Sequence, residues 1–405
     1  MNAAIMVSEK RPVPPVRGGA VQTLVYNLAH MMPKTVSVAV FSPFDPAQAE
    51  CTLNIQAVRS SPLDRLCERL IHSENRLAGL LRLPAKTYRV ARYARRCAAK
   101  MNGAYDVIHV FNDPNFISFI RRRNPRTPLI LHMENRHLTS PRYTRFLLNR
   151  YRRAVSQCQM VVGCSEFIAQ DILAQYDLTE ETVRPIHNGI DTDVFKPQPP
   201  ERNRRTRCAY GLPETSPLIL FSGRLVPAKG VDLLLAALSA LKERQWHLVI
   251  AGAPFFSDSA PETRYEKTLR ELADPLRDRV HFVGHLDRPD VALLNAAADI
   301  AVVPSTWEEP FGLVVCEAMA AGTAVVASDR GAIPEQITHG MDGLLFSPSS
   351  PETLRRCLAD LLDSSELRET LARRAVSTVA ERFTIQKMAR EVAALYEELG
   401  RERLR

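Results

Sequence analysis

Two acidic residues, Glu309 and Glu317, flank a tight turn in the second half of the chain. Gly312 lies between them, permits a close backbone approach and precedes a helix-like segment rich in alanine and methionine. The free amide groups at a helix start are suited to binding an anion such as a diphosphate. Glu317, about one turn inside this helix, is placed to accept hydrogen bonds from ribose hydroxyls. Glu309 lies before the turn, near the group that the diphosphate carries.

Surface acids beside a capped helix are the simpler explanation of this segment. That explanation accounts well for Glu308, but it accounts poorly for the turn Pro310-Phe-Gly312. We therefore interpret Glu309 and Glu317 as binding residues.

Two basic residues five positions apart, Arg224 and Lys229, follow the apolar run at 218–221. A forked guanidinium and a point-charge ammonium after one strand can both reach phosphate oxygens. As isolated residues they would more often be surface charges. Gly18 and Gly19 form a glycine pair before a helix-like segment, which alone indicates only a turn. His132 ends another apolar run, where a single histidine is usually structural.

The elements that position these residues alternate between short β-branched runs and amphipathic segments of helix length. This alternation predicts βα units and parallel sheets. The runs are Ile5, 36–41, 53–58, 107–111, 129–132, 160–164 and 183–186 in the first half, then 218–221, 247–251, 280–283, 300–303, 324–327 and 343–346.

A proline-rich, charged stretch at 196–205 predicts an interdomain linker that does not sustain a helix. We therefore expect a first doubly wound domain over 1–196 and a second over 206–384. The amphipathic helix predicted over 385–405 could cap either domain or cross back to the first. Ligands of open α/β sheets bind at the carboxyl ends of the strands, so the chemistry is expected in a cleft where the two domains face each other.

The segment Glu309 to Glu317 resembles the E-x7-E signature of family 4 of the retaining glycosyltransferases (GT4), with its E-P-F-G turn intact. Ser222-Gly-Arg-Leu-Val-Pro-Ala-Lys-Gly230 is similar to the basic loop of that family. His187-Asn-Gly-Ile-Asp191 looks like its N-G-I-D turn, and Arg17-Gly-Gly-Ala20 resembles its glycine loop. The four matches follow the family's order and extend over both halves, so the resemblance covers essentially the whole chain.

The resemblance implies the GT-B fold, with two Rossmann-like domains, and a role for each matched residue. Arg224 and Lys229 would clamp the diphosphate, Glu309 would contact the transferred sugar, and Glu317 would bind the ribose. The implied donor-binding set is Gly18, Gly19, Arg224, Lys229, Glu309, Phe311, Gly312, Leu313 and Glu317. His132 matches the histidine that faces the donor sugar, with His109 as a competing candidate. The residues after it, Met133-Glu134-Asn135, depart from the acidic residue often found there.

The activity that the resemblance implies is transfer of a hexosyl group from a nucleoside diphosphate sugar, with UDP as the expected nucleotide, to an unassigned acceptor such as a cell-surface or spore-envelope glycan. Retention leaves two routes open, and we favour front-face attack, with Glu309 orienting the sugar, over Glu309 acting as a nucleophile. No cofactor or metal is expected beyond the donor, because Arg224, Lys229 and helix amides supply positive charge. Asp191-Thr-Asp193 is interpreted as a local turn rather than a metal site.

Two rival functions stay open at this point. The segment 12–22 looks like spore-coat-associated members of the family, which allows a spore-envelope scaffold with little catalysis. An epimerase on the same architecture is the other rival. It would need catalytic acid and base groups at the sugar.

Positive charge is concentrated in one region of the chain. The net charge is +8, yet residues 59–153 hold 21 Lys and Arg against 6 Asp and Glu, a local +15. A solvated face is the first interpretation, and a surface for an anionic membrane is the second. Nucleic acid is not expected, because no binding motif accompanies the arginines. The basic residues recur at Arg89, Arg92, Arg95, Arg96, Lys100, Arg121, Arg122, Arg123, Arg126, Arg145, Arg150, Arg152 and Arg153.

The remaining composition predicts a globular cytoplasmic protein, either free or at a membrane or spore surface. No stretch approaches the roughly 20 apolar residues that a membrane span needs, and the apolar run at 3–7 is too short for a secretory signal. The cysteines lack any Cys-x-x-Cys pair, so reduced, mostly buried thiols are expected rather than disulfides or zinc ligands. They are Cys51, Cys67, Cys97, Cys158, Cys164, Cys208, Cys316 and Cys357.

Overall fold

The structure is a computed structural model that describes residues 1–16, 18–59, 85–136, 145–254 and 262–404. The chain divides into two compact units, one formed by Met1–His187 with Gln386–Arg405 and the other by Asn188–Ile385. In the described residues each unit is a parallel sheet with helices. The two doubly wound sheets predicted from the sequence are therefore confirmed.

The first unit contains, in its described residues, a seven-stranded sheet of order β3-β2-β1-β4-β5-β6-β7. Its strands are β1 (Asn2–Met6), β2 (Ser37–Pro43), β3 (Asn54–Val58), β4 (Val107–Phe111), β5 (Leu129–Met133), β6 (Met160–Gly163) and β7 (Val183–Pro185). Its helices are α1 (Ala20–Met31), α2 (Ala85–Met101), α3 (Ile117–Arg123), α4 (Arg145–Val155) and α5 (Glu166–Gln175).

The second unit contains, in its described residues, a six-stranded sheet of order β10-β9-β8-β11-β12-β13. Its strands are β8 (Leu218–Ser222), β9 (His247–Ala251), β10 (Val280–Gly284), β11 (Ile300–Val303), β12 (Ala324–Ser328) and β13 (Leu344–Phe346). Its helices are α6 (Pro200–Ala209), α7 (Val231–Ser239), α8 (Arg264–Ala273), α9 (Arg288–Ala297), α10 (Leu313–Ala320), α11 (Ile333–Gln336), α12 (Pro351–Asp363) and α13 (Ser365–Arg382).

The central strands are buried along their whole length. Every residue of β4, β5, β11 and β12 is buried, as helices on both faces of a parallel sheet require. In each unit the strand order reverses beside the first strand, between β1 and β4 and between β8 and β11. In doubly wound sheets ligands bind at such a reversal, beyond the carboxyl ends of the strands.

The stretch predicted as a linker is helical instead. Pro200 begins helix α6, and a proline is tolerated there because the first helical N–H has no intrahelical partner. Arg207 of this helix is buried and donates to the carbonyl oxygen of Ala297 and to Asp299, at 2.9 and 2.8 Å. The charges at 201–205 suggested a linker, but this segment is part of a helix that packs through Arg207. The prediction of an unstructured linker is therefore wrong.

The boundaries of the units also differ from the predicted position at 196. The segment after Asn188 belongs to the second unit, because Ile190 exchanges backbone hydrogen bonds with Phe383 and Ile385 at 2.7 and 2.9 Å. The terminal helix α14 (Ile385–Leu404) belongs from Gln386 onward to the first unit. Its Tyr396 hydroxyl lies 2.7 Å from His109 Nδ1.

The cysteines of the described ranges are free thiols, and the helices there do not indicate a membrane span. No cysteine there is in a disulfide, and burial raises the pKa of Cys97 and Cys158 to about 12 and that of Cys357 to about 11. Cys67 lies outside the described residues. None of the helices within those ranges combines the length and apolarity that crossing a bilayer would take.

Candidate functional site

The second unit brings the predicted phosphate-binding and sugar-binding residues to one edge of its sheet. Arg224 and Lys229 lie in the loop after β8, and Glu309 lies in the loop after the neighbouring strand β11. Both loops leave the carboxyl ends of strands at the point where the strand order reverses. Two of the sequence motifs are therefore adjacent in space although they are far apart in the chain.

Lys229 and Glu309 form a partly buried ion pair. Lys229 Nζ lies 2.5 Å from Glu309 Oε1, and the same oxygen accepts a hydrogen bond from the Ser305 hydroxyl, also at 2.5 Å. The Glu309 side chain is 5% exposed and the Lys229 side chain 17%. All donors reach Oε1, and no described residue donates to Oε2.

The backbone around Lys229 is held against the loop that carries Glu309. Gly230 has φ 65°, and a Cβ there would lie 2.0 Å from the carbonyl oxygen of Pro304, so only glycine fits this close approach. The amide of Thr306 donates to the carbonyl oxygen of Ala228 at 3.0 Å. These contacts fix where the Lys229 side chain begins, two residues before the first residue of helix α7.

The backbone of Glu309 is held in turn by the loop after β12. Its carbonyl oxygen accepts a hydrogen bond from the Ala332 amide at 2.8 Å. Glu308 also contacts this loop, because its Oε2 accepts a hydrogen bond from the Gly331 amide at 2.7 Å. Glu308 is thus a structural acid, as the sequence suggested, whereas Glu309 directs its side chain to Lys229.

The turn between the two acids leads directly into helix α10. Gly312 has φ 92° and is the residue before Leu313, where the helix begins. The Phe311 ring is 3% exposed, and its carbonyl oxygen accepts from Gln336 Nε2 at 2.7 Å. The turn is therefore anchored by a buried ring and by the hydrogen bond from Gln336.

Glu317 is a buried acid paired with an arginine that the sequence had not indicated. Arg288 NH1 lies 2.9 Å from Glu317 Oε1, and the Glu317 side chain is 8% exposed. Burial raises the pKa of Glu317 above its usual value, and the Arg288 charge opposes this shift. Both residues lie in the described part of the second unit, on helices α10 and α9.

Arg224 differs from Lys229 in having no counter-ion among the described residues. Its side chain is exposed, and within the described ranges it forms no ion pair. An exposed guanidinium in the same loop as Lys229, with no ion pair to a described residue, is suited to an anionic ligand. The sequence prediction that both cations serve one anion is compatible with this arrangement.

The glycine pair of the first unit lies where the sequence predicted a turn. Gly18 and Gly19 have φ 67° and 124° and immediately precede helix α1, in the loop that leaves β1. Arg17, which begins this motif, lies outside the described residues.

His132 is fully buried inside β5. Its ring stacks on Phe111 and lies parallel to His109, with centroid distances of 4.6 and 5.3 Å. Nε2 lies 3.4 Å from Glu134 Oε1, and burial lowers the pKa of His132 to about 3. The ring is neutral at physiological pH, and its contact with a donor sugar stays a prediction.

The described residues contain no cluster of three His, Cys, Asp or Glu side chains that could hold a metal ion. Asp191 Oδ1 accepts hydrogen bonds from the backbone amides of Asp193 and Val194, at 3.0 and 3.4 Å. These are the local turn contacts expected from the sequence.

Both units match known families of glycosyltransferases. Residues 203–378 match the model described as glycosyl transferases group 1, and residues 17–194 match the model described as glycosyltransferase family 4. The two matches do not overlap, and together they extend over most of the chain, including every motif discussed above. The chain belongs to glycosyltransferase family 4. It is a transferase, and its two sheets are those of the GT-B fold.

Two relatives illustrate the range of the family. Spore coat protein SA of Bacillus subtilis (strain 168) is 27% identical over 405 residues, which cover 98% of this chain and 99% of that protein. A D-inositol 3-phosphate glycosyltransferase of Corynebacterium glutamicum (strain R) is 32% identical over 231 residues, 56% of this chain and 54% of that protein.

The fold is shared with a solved structure. The crystal structure of Anabaena Alr3699/HepE in complex with UDP and glucose has a TM-score of 0.75 to this chain. It covers 97% of this chain and 99% of its own, at 21% sequence identity. At that identity the likeness supports the fold alone.

Sequence reasoning missed three residues of this candidate site. Ser305 contacts Glu309, and Arg288 contacts Glu317. Trp307 lies beside Lys229, whose ammonium is 5.6 Å from the ring centroid. Ser305 and Trp307 lie four and two positions before Glu309, so their position was a usable signal. Arg288 gave none, because its proximity to Glu317 arises only from the packing of α9 against α10.

Proposed function

We propose that this family 4 transferase moves a hexosyl group from a nucleoside diphosphate sugar to an acceptor hydroxyl with retention of configuration. The observation that carries the proposal is the Lys229–Glu309 pair, which lies at the sheet's switch point beside the start of helix α10. The Lys229 ammonium, proposed to bind phosphate, is hydrogen-bonded there to the Glu309 carboxylate, which is proposed to accept from sugar hydroxyls.

The diphosphate is held by positive charge from the protein. Arg224 supplies an exposed guanidinium, and Lys229 keeps further N–H donors when one of its three contacts Glu309. The first amides of α10 after Gly312 add the partial positive charge of a helix start. These groups act on the charge that develops as the diphosphate departs, so we propose that transfer proceeds without a metal ion.

Glu309 orients the transferred sugar. Its Oε1 carries hydrogen bonds from both Lys229 and Ser305, which draw electron density away from the carboxylate. A carboxylate neutralised in this way is a poor nucleophile. Oε2, to which no described residue donates, is suited to accept a hydrogen bond from a sugar hydroxyl.

The step is therefore proposed as front-face attack. The bond between the anomeric carbon and the diphosphate oxygen breaks, and the electron pair leaves with that oxygen. The acceptor hydroxyl oxygen bonds to the anomeric carbon on the same face. Its proton passes to the departing phosphate oxygen, which stands beside it, and this transfer needs no protein base.

The nucleotide half of the donor is assigned to Glu317. A buried carboxylate kept ionised by Arg288 is a strong acceptor for ribose hydroxyls. UDP is the nucleotide we propose, in keeping with the expectation from the family. The fold relative Alr3699/HepE was solved in complex with UDP, which is compatible with this choice but belongs to that protein.

We propose an envelope glycan as the acceptor class. Similarity over nearly the whole chain to a protein named spore coat protein SA supports this choice. Both family models describe glycosyltransferases, and they favour transfer over a scaffold with little catalysis. A cytoplasmic location stays a prediction.

Ligand-induced stabilisation tests donor binding without knowledge of the acceptor. UDP or GDP at about 100 times its dissociation constant should stabilise the protein by about 2.7 kcal/mol, which raises the unfolding temperature. No shift with either nucleotide would contradict the proposal and favour the scaffold. Product analysis with and without acceptor sugars separates transfer from epimerisation, because an epimerase converts its donor without any acceptor.

We also propose that part of the basic region meets an anionic membrane. Several of its cations serve the fold, since Arg121 donates to the carbonyl oxygens of Thr127 and Gln157 at 2.9 and 2.7 Å. Arg122 and Arg123 are exposed in the last turn of α3, and Arg153 is exposed in the last turn of α4. The side chains of Arg89 and Arg145 lie outside the described residues.

A further inference from the structure

Arg288 and Phe195 form a support for Glu317 that no recognised motif explains. Arg288 NH1 lies 2.9 Å from Glu317 Oε1, and the Arg288 guanidinium lies over the Phe195 ring at 4.8 Å from its centroid. Arg288 is the first residue of helix α9, and Glu317 is inside helix α10. All three residues belong to the second unit.

Glu317 needs such a partner in order to stay charged. Its side chain is 8% exposed, and removing a carboxylate from water disfavours its ionised form. Without a counter-ion the carboxyl would tend toward its protonated state, which offers a weaker acceptor and adds an unwanted donor. Arg288 is a permanent cation within hydrogen-bond distance, so it favours the ionised form of the acid.

Phe195 fixes the guanidinium from the other side. The Phe195 ring is 1% exposed and stands at the end of the turn that begins with Asn188-Gly-Ile-Asp191. That turn is closed by hydrogen bonds from the amides of Asp193 and Phe195 to Asp191, both at 3.0 Å. A guanidinium stacked on a buried ring has few other orientations, which directs NH1 at Glu317.

The contact leaves the second oxygen of the acid available. Arg288 reaches Oε1, and among the described residues none donates to Glu317 Oε2. An acid with one oxygen fixed by a cation and the other exposed to a ligand is pre-organised to accept a hydroxyl hydrogen bond. The turn at 188–195 carries the Phe195 ring that packs against the Arg288 guanidinium.

We propose that Arg288, seated on Phe195, is a positioning residue that gives the site its preference for a ribose with intact hydroxyls. The inference rests on the proposed function, because it takes the nucleotide ribose as the partner of Glu317. It adds a residue at the start of helix α9 to the donor site, and it assigns the Asp191–Phe195 turn to nucleotide recognition.

The test compares the dissociation constants of UDP and 2′,3′-dideoxy-UDP by isothermal titration calorimetry, using the full chain. The wild type should prefer UDP by about tenfold or more, the size expected for hydrogen bonds to a charged acceptor. Arg288→Met should reduce this preference to within about threefold while the affinity for the dideoxy nucleotide changes little. Arg288→Lys should recover part of the preference, and Phe195→Leu should give an intermediate value.

A matched control is Arg330→Met. Arg330 has nearly the same side-chain exposure as Arg288, 34% against 33%, and pairs with the structural acid Glu308. Its removal should leave the ribose preference unchanged. If Arg288→Met does not fold, Arg288→Lys and Phe195→Leu carry the test.

The outcomes separate the inference from the proposed function. A wild-type preference that disappears in Glu317→Gln but persists in Arg288→Met overturns the inference alone. An equal loss of affinity for both nucleotides in Arg288→Met also overturns it, because that result means a purely structural role. A wild type that binds neither nucleotide, or does not distinguish them, contradicts the ribose assignment itself, and the inference falls with it.

Discussion

Lys229 Nζ lies 2.5 Å from Glu309 Oε1, although the two residues are 80 positions apart in the chain. The pair joins the loop after β8 to the loop after β11, and Gly230 permits the close backbone contact that makes it possible. It therefore links the cation assigned to the diphosphate with the carboxylate assigned to the sugar. A single ion pair couples the two halves of the donor site.

Breaking this pair should affect stability and activity in different ways. Lys229→Met leaves a carboxylate with 5% exposure and no counter-ion, which should destabilise the protein by roughly 3 kcal/mol. Adding Glu309→Gln removes the uncompensated charge, so the double variant should recover much of that stability. Activity should fall by at least about a hundredfold in both, since the phosphate cation is lost in each. Denaturant unfolding and donor turnover measure the two effects.

Equal stability losses in Lys229→Met and the double variant would contradict this account of the pair. Full turnover in Lys229→Met would remove Lys229 from the phosphate site. Ser305→Ala is a milder comparison, because it removes one of the two donors to Oε1 and leaves the charge of Lys229 in place.

Tryptophan fluorescence should report donor binding directly. The chain has two tryptophans, and Trp307 is 38% exposed with Lys229 Nζ 5.6 Å from its ring centroid. Trp246 is fully buried and donates Nε1–H to the carbonyl oxygen of Leu241. A diphosphate that engages Lys229 should change the emission of Trp307, and the change should disappear in Trp307→Phe but persist in Trp246→Phe. A nucleotide response that survives in Trp307→Phe would place the binding site elsewhere.

The buried histidine of β5 should make the first unit sensitive to acid. The folded pKa of His132 is about 3, whereas an unfolded histidine titrates near 6.5. The unfolded state therefore takes up a proton as the pH falls below about 6.5 and the folded state does not, so the free energy of unfolding decreases. Between pH 6.5 and 5 the loss is on the order of 2 kcal/mol for this group.

His132→Phe should flatten that dependence, since a phenyl ring can keep the stack on Phe111. The groups around His132 are His109, Glu134 and the Tyr396 hydroxyl. Because burial also lowers the pKa of His109, part of the acid sensitivity should remain in the variant. Calorimetric unfolding of wild type and variant from pH 5 to 7 measures the difference. Parallel curves would show that His132 does not titrate on unfolding.

The exposed arginines at the end of α3 should bind anionic vesicles. Each basic residue near such a surface contributes about 1 kcal/mol, so Arg122→Glu with Arg123→Glu should weaken binding to phosphatidylglycerol vesicles at least about tenfold. The matched control is Arg204→Glu with Arg205→Glu, two exposed arginines of helix α6 in the second unit. Equal sedimentation of both variants, or no binding by the wild type, would reject the membrane contact.

The sequence was sufficient to predict the two parallel sheets and the loops that carry the candidate residues. Apolar runs of four to six residues that alternate with amphipathic segments of helix length are typical of parallel sheets covered by helices, so this alternation predicted the architecture. Glycines before helices marked the loops at the carboxyl ends of strands. Those are local signals, and Gly312 and Glu309 could be interpreted from their neighbours alone.

The sequence was insufficient wherever a role depends on packing between distant segments. The charges at 201–205 suggested a linker, yet Arg207 anchors a helix by reaching Asp299. Arg288 was one arginine among many until α9 and α10 placed it against Glu317. His132 was recognised by its match, but its complete burial follows from the strands on either side of β5.

The most direct test of the central claim is to follow sugar release from α-linked UDP-hexoses by NMR, comparing wild type with Arg224→Met. Arg224 is exposed and forms no ion pair with any described residue, so its loss should leave folding intact. We predict an α-configured product with the wild type and a rate at least about a hundredfold lower with the variant. A β-configured product, or equal rates for the two proteins, would contradict a retaining transferase that holds its donor through this loop.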